Sequence, residues 1–132
     1  MVRLLSAWAA ATVIWLVGFA VVAHFTPTGA PGEPPAGMDQ VMRLHLPWVV
    51  IATLMSFAAG VVHRDTTQPV RRMLAVLVVP AVATLAGVVG GIAGQSSAAT
   101  VLLYVAEGAM GVMAGLVLAK LTSVKKAPSG YW

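Results

Sequence analysis

The stretch MLAVLVVPAVATLAGVVGGIAGQSSAATVLLYVAEGAMGVMAGLVLA, residues 73–119, decides the fold. It is two long apolar runs, 73–94 and 98–119, parted only by Gln95, Ser96 and Ser97. Crossing ~30 Å of hydrocarbon takes about 20 apolar residues at a helical rise of about 1.5 Å, so each run reads as a transmembrane span. A connector this short makes the two helices antiparallel neighbours.

Working outward, residues 46–62 form a shorter apolar run. It needs either an extension back through residues 41–45 or snorkelling at its ends to reach across. Residues 4–25 form a fourth run, preceded by Arg3. A secretory signal has an apolar core of ~7–15 residues, and this run is longer, so it reads as a retained helix. The expectation is an all-α membrane protein, residues 1–132 as one four-helix bundle with spans at 4–25, 46–62, 73–94 and 98–119.

The composition agrees. Of 132 residues 59% are apolar and only 9% charged, against about 25% charged in a soluble domain. There is no cysteine, which excludes disulfides, thiolate metal sites and cysteine nucleophiles. Ala and Gly richness, with Arg outnumbering Lys, is what GC-rich bacterial coding favours. The expected location is therefore a bacterial inner membrane.

The formal charge of +4 raises nucleic acid as a partner, but the basic residues flank the spans. With the N-terminus inside, Arg3, Arg64, Arg71, Arg72, Lys120, Lys125 and Lys126 are cytoplasmic and only Arg43 is external. The positive-inside bias then gives an N-in, C-in topology and attraction to anionic lipid, with no nucleic-acid role. The outer loop 26–40 carries Pro27, Pro31, Pro34 and Pro35 and reads as a stiff solvated strap. Residues 120–132 form a basic cytoplasmic tail. Residues 38–45 place apolar side chains at helical spacing, either along the membrane surface or as the first turns of the second span.

Residues three and four apart share a helix face. The third span thus aligns Pro80, Thr84, Gly87, Gly91 and Gly94, and the fourth Thr100, Tyr104, Glu107 and Gly111, with Gly115 beside them. Small residues let backbones approach closely where lipid supplies no hydrophobic drive, so a tight hairpin of the last two helices through Gly87, Gly91 and Gly111 is expected. A glycine stripe facing another protein is the alternative. The second span carries Thr53, Ser56, Gly60 and His63 at similar spacing, with hydroxyls expected to bond back to carbonyls one turn earlier.

Glu107 is the one acidic residue within a span. Counted from the turn at 95–97 it falls near the bilayer centre, where an ionised carboxylate costs about 2.5–3.5 kcal/mol. By that count no Lys, Arg or His shares its depth. Its expected state is a neutral carboxyl donating to Thr84 or Ser56; the alternatives are pairing with a cation on another subunit and a role in proton or substrate transfer. His24, His45 and His63 could ligate haem or metal, but nothing around them supports it, so no cofactor or metal is expected. Trp8 fits the inner aromatic belt, whereas Trp15 sits deeper and is expected to meet another helix or a partner.

No GxSxG, HExxH, P-loop or carboxylate pair occurs, so no enzyme is expected. The function this leaves is a small accessory or assembly subunit packing against larger integral membrane proteins of a transporter or respiratory assembly. The alternative is a small oligomeric transporter or proton-conducting protein using Glu107.

Overall fold

Proline opens two of the helices. Pro47 and Pro69 occupy first-turn positions, where the missing N–H has no intrahelical partner to lose and the fixed φ is already helical. The computed structural model describes residues 2–25, 38, 41–63 and 68–124. They form α1 (Val2–Phe25), α2 (Leu46–Val62), α3 (Pro69–Ala93) and α4 (Ala98–Val124), and a π-helical turn, Val41–His45, leads directly into α2. With that turn the second helix reaches 22 residues, and all four helices are long and apolar enough to cross a membrane. Most of the outer strap and all of residues 125–132 lie outside the described residues.

The turn between α3 and α4 is tightly specified. Ser96 N–H donates to Gly91 O (2.9 Å) and Gln95 N–H to Ile92 O (3.1 Å), closing the last turn of α3 with Gln95 in the left-handed region at φ 58°. Ser97 Oγ then accepts from Thr100 N–H at 3.2 Å, capping α4. The four-residue connector 94–97 therefore ends one helix and starts the next.

The helices alternate in direction. Trp8 Nε1–H on α1 donates to Leu74 O on α3 at 3.1 Å, bringing the start of α1 beside the start of α3. The core is built from Ala7 and Ala11 of α1, Trp48, Ile51, Ala52, Met55 and Ala59 of α2, and Ala75, Val76, Val79 and Ala83 of α3. So many alanines leave little between the backbones, and the gain there is dispersion from close approach. Large side chains such as Leu16, Leu85, Leu102 and Met113 point outward. That arrangement suits a lipid solvent.

The tightest seam differs from the one the sequence suggests. The most extensive helix contact is between α2 and α4, which run parallel. A Cβ at Gly111 would stand 2.6 Å from Ala52 Cβ and 2.7 Å from Val49 O, and one at Gly115 would meet Thr53 O, Ser56 and Phe57 N. Gly60 continues the seam, its missing Cβ lying 2.8 Å from Ala119 Cβ. Gly111 and Gly115 therefore serve α2 instead of α3. The α3–α4 hairpin is close from its turn as far as Gly108: the ring of Tyr104 covers Gly87, a Cβ at Gly91 would make ordinary contact with Val101 at 3.4 Å, and one at Gly108 would stand 3.1 Å from Thr84 Oγ1. Farther from the turn α3 and α4 part around a cleft of about 620 Å³, lined by Pro80, Ala81, Thr84, Gly108, Ala109 and Met113 among others.

These clearances order the glycines by tolerance. Gly111→Leu should cost roughly 3 kcal/mol or more, as over-packing against backbone does. Gly90→Ala, with nothing within 4 Å of its new Cβ, should be neutral or gain up to about 1 kcal/mol in helix propensity. Melting of both variants in the same detergent checks the order; equal stability would place the α2–α4 seam elsewhere.

Candidate functional site

The parallel seam fixes a register, and the register builds the site. With Gly111 opposite Val49–Thr53, the residue one turn earlier on α4, Glu107, falls opposite the start of α2. There His45 Nδ1 stands 2.7 Å from Glu107 Oε1, with both side chains largely buried at 15% and 12% exposure. Either an imidazole N–H donates to the carboxylate, or a protonated carboxyl donates to Nδ1. The distance is that of a strong, charge-assisted hydrogen bond.

This replaces the partners expected for Glu107. Thr84 Oγ1–H donates to Pro80 O at 2.8 Å, within its own helix. Thr53 Oγ1–H likewise donates to Val49 O at 2.8 Å. Ser56 is fully buried beside Gly115, and its Oγ has no hydrogen-bond partner among the described residues. Glu107 is tenth of the 27 residues of α4, and the count from the turn missed His45 as its partner because the π-helical turn makes that residue part of the second helix.

Aromatic side chains wall the pair. The Trp48 ring stacks on Tyr104 with centroids 4.5 Å apart and planes 11° from parallel, and its Nε1–H donates to Tyr104 O at 3.0 Å. Gly108 makes room for this, since a Cβ there would be 3.3 Å from the indole. Phe19 leans on Trp48 (6.3 Å) and Trp15 meets Phe19 edge-on (6.1 Å), so an aromatic ladder runs from α1 through α2 to α4. Trp15, expected to contact a helix or a partner, is partly buried, and its Nε1 has no acceptor among the described residues. Gly94 closes α3 and is exposed.

Two hollows adjoin the pair. One, about 480 Å³, is lined by Val41, His45, Ala99, Thr100, Leu103 and Glu107 and runs from the ends of the helices to the carboxyl. The other, about 200 Å³, lies on the α1 side against Phe19, Trp48, Ile51 and Tyr104. No group of three potential metal ligands occurs among the described residues. His24 is stacked edge-on to Phe25 and His63 lies at the other end of α2, so the three histidines do not converge.

Sequence reasoning missed His45, Trp48 and Tyr104 as a unit. The available signal was paired spacing: His45 and Trp48 three apart on one helix, Tyr104 and Glu107 three apart on another. Comparison with protein-family models, with curated proteins and with solved structures finds no match to this chain.

A buried pair costs most when halved. His45→Ala should destabilise the bundle by about 3 kcal/mol by stranding the carboxyl, and Glu107→Ala by a similar amount. The double variant should recover much of that loss, a coupling readable from a double-mutant cycle in detergent. Additive losses would mean that the two side chains do not interact.

Proposed function

We propose that this chain is a small accessory or assembly subunit of a larger membrane complex, a transporter or respiratory assembly, without catalytic activity of its own. The observation that carries the reading is the apolar cleft between α3 and α4, where small residues sit among Leu77, Leu85, Val88 and Leu116. Pro80, Ala81, Gly108 and Ala109 offer a concave apolar face on which a helix of a larger integral membrane subunit can approach closely. The internal pairing of Glu107 supports the same reading, because an acid compensated within the chain needs no cation from the partner. The basic residues favour an N-in, C-in arrangement, and the composition favours a bacterial inner membrane.

A second reading, a small oligomeric transporter or proton-conducting protein, draws on one feature only. The His45–Glu107 pair borders a groove that leads to the helix ends.

Two measurements test the proposal. Ser97→Cys should react with a membrane-impermeant thiol reagent in intact cells and Ser129→Cys should not; the reverse pattern overturns the topology. In native purification with mild detergent, the wild type should bring down one larger membrane protein in fixed stoichiometry. Ala109→Trp, which fills the cleft, should lose it at least tenfold with an unchanged melting temperature. A chain recovered alone, or a complex indifferent to Ala109→Trp, would sink the accessory reading, and proton flux through the purified chain in proteoliposomes would favour the second.

A further inference from the structure

The helix ends opposite the His45–Glu107 pair carry a hollow of their own. Pro69, Arg72, Met73, Val76 and Leu77 of α3 and Leu116 of α4 line about 260 Å³. Leu77 and Leu116 also line the α3–α4 cleft, so the two spaces adjoin. Arg72 is the one polar side chain in the lining of the smaller hollow; it is half-buried, and its guanidinium meets no acceptor among the described residues. A guanidinium at the helix end of an apolar slot matches a ligand with an acceptor head and an apolar body.

Charge and length decide which ligand. The helix ends and chain segments on this side carry Arg3, Arg64, Arg71, Arg72, Lys120, Lys125 and Lys126 against the single acid Asp65, an excess of positive charge that pairing of Asp65 would not cancel. An anion is favoured there, and a phosphate suits a guanidinium, which can donate two parallel N–H groups to it. A Cβ at Gly108 would touch Thr84, so antiparallel counting sets Leu116 level with Val76 and Lys120 level with Arg72. Lys120 is already engaged in a contact, which leaves the head to Arg72. From Arg72 to Pro80, where the small residues of the cleft begin, is about 12 Å of helix at a rise of about 1.5 Å. One leaflet of hydrocarbon is about 15 Å deep, half of a ~30 Å core. The side chains over that distance are long or branched, and a flexible chain can lie between them.

We propose that this hollow holds one anionic phospholipid, its phosphate accepting from the Arg72 guanidinium and one acyl chain lying along Met73, Val76, Leu77 and Leu116 toward Pro80. No covalent bond is made or broken. A basic pocket between helix ends, with apolar walls below it, is the chemistry by which anionic headgroups are retained beyond general attraction to a basic surface. The inference goes beyond the accessory reading and does not depend on it. The lipid lies on the Arg72 side of Pro80, whereas the docking face is formed by Pro80, Ala81, Gly108 and Ala109.

The test titrates the full chain in mild detergent with dioleoyl phosphatidylglycerol and counts bound lipids by native mass spectrometry, with dioleoyl phosphatidylcholine in parallel. The expected result is one phosphatidylglycerol bound saturably, at least tenfold more tightly than phosphatidylcholine. Arg72→Gln should reduce that preference below threefold with unchanged melting. Arg3→Gln removes a basic residue outside the hollow and should keep the preference. Leu77→Trp, which fills the hollow from a position 41% exposed, should weaken both lipids at least fivefold. Phosphatidylglycerol with butyryl chains should bind at least tenfold more weakly than the dioleoyl lipid. Ala109→Trp should bind lipid like the wild type, so loss of a protein partner and loss of lipid are read separately. The proposal is overturned by absence of saturable binding, by equal affinity for the two headgroups, by an Arg3→Gln effect as large as that of Arg72→Gln, or by short-chain lipid binding as tightly as dioleoyl lipid.

Discussion

Everything distinctive in this bundle depends on two backbones touching. Gly111 and Gly115 let α4 lie against the main chain of α2 from Val49 to Phe57, and Gly60 returns the favour toward Ala119. Helices held that closely cannot slide by a turn without driving a side chain into a carbonyl. The register so locked is what sets His45 opposite Glu107 and lays Trp48 across Gly108. Without the glycines, the polar pair and the aromatic stack would both lose their alignment.

Most polar groups follow the economy that a lipid solvent would impose. Backbone donors and acceptors close within helices, Thr53 and Thr84 bond back to their own helices, and the indoles of Trp8 and Trp48 find carbonyls on neighbouring helices. Trp15 Nε1, Ser56 Oγ, both His63 nitrogens and the Tyr104 hydroxyl are buried without partners among the described residues, whereas Glu107 Oε1 meets the imidazole that the α2–α4 register brings within reach. Because a bundle lacks hydrophobic drive between its helices, such a pair fixes one arrangement among several apolar ones that would pack comparably.

Much of this was legible in the chain. Span length and hydropathy expose the four helices, since crossing hydrocarbon is a one-dimensional requirement. The glycine spacing likewise exposes which residues permit close approach. Which helix they approach is not a property of the spacing: Gly111 has a clear face toward either α2 or α3, and only three-dimensional packing of the core alanines chooses. The partner of Glu107 was missed because the count from the turn left His45 outside the second helix, to which the π-helical turn adds it.

The choice of α2 over α3 as the close partner of α4 has a chemical consequence. The hairpin sets Glu107 level with Thr84 and Gly87, since a Cβ at Gly108 would stand 3.1 Å from Thr84 Oγ1 and the Tyr104 ring covers Gly87, but the Thr84 hydroxyl is bonded within its own helix. Parallel pairing with α2 supplies the imidazole of His45. A groove bordered by Val41 and Ala99 then reaches it directly.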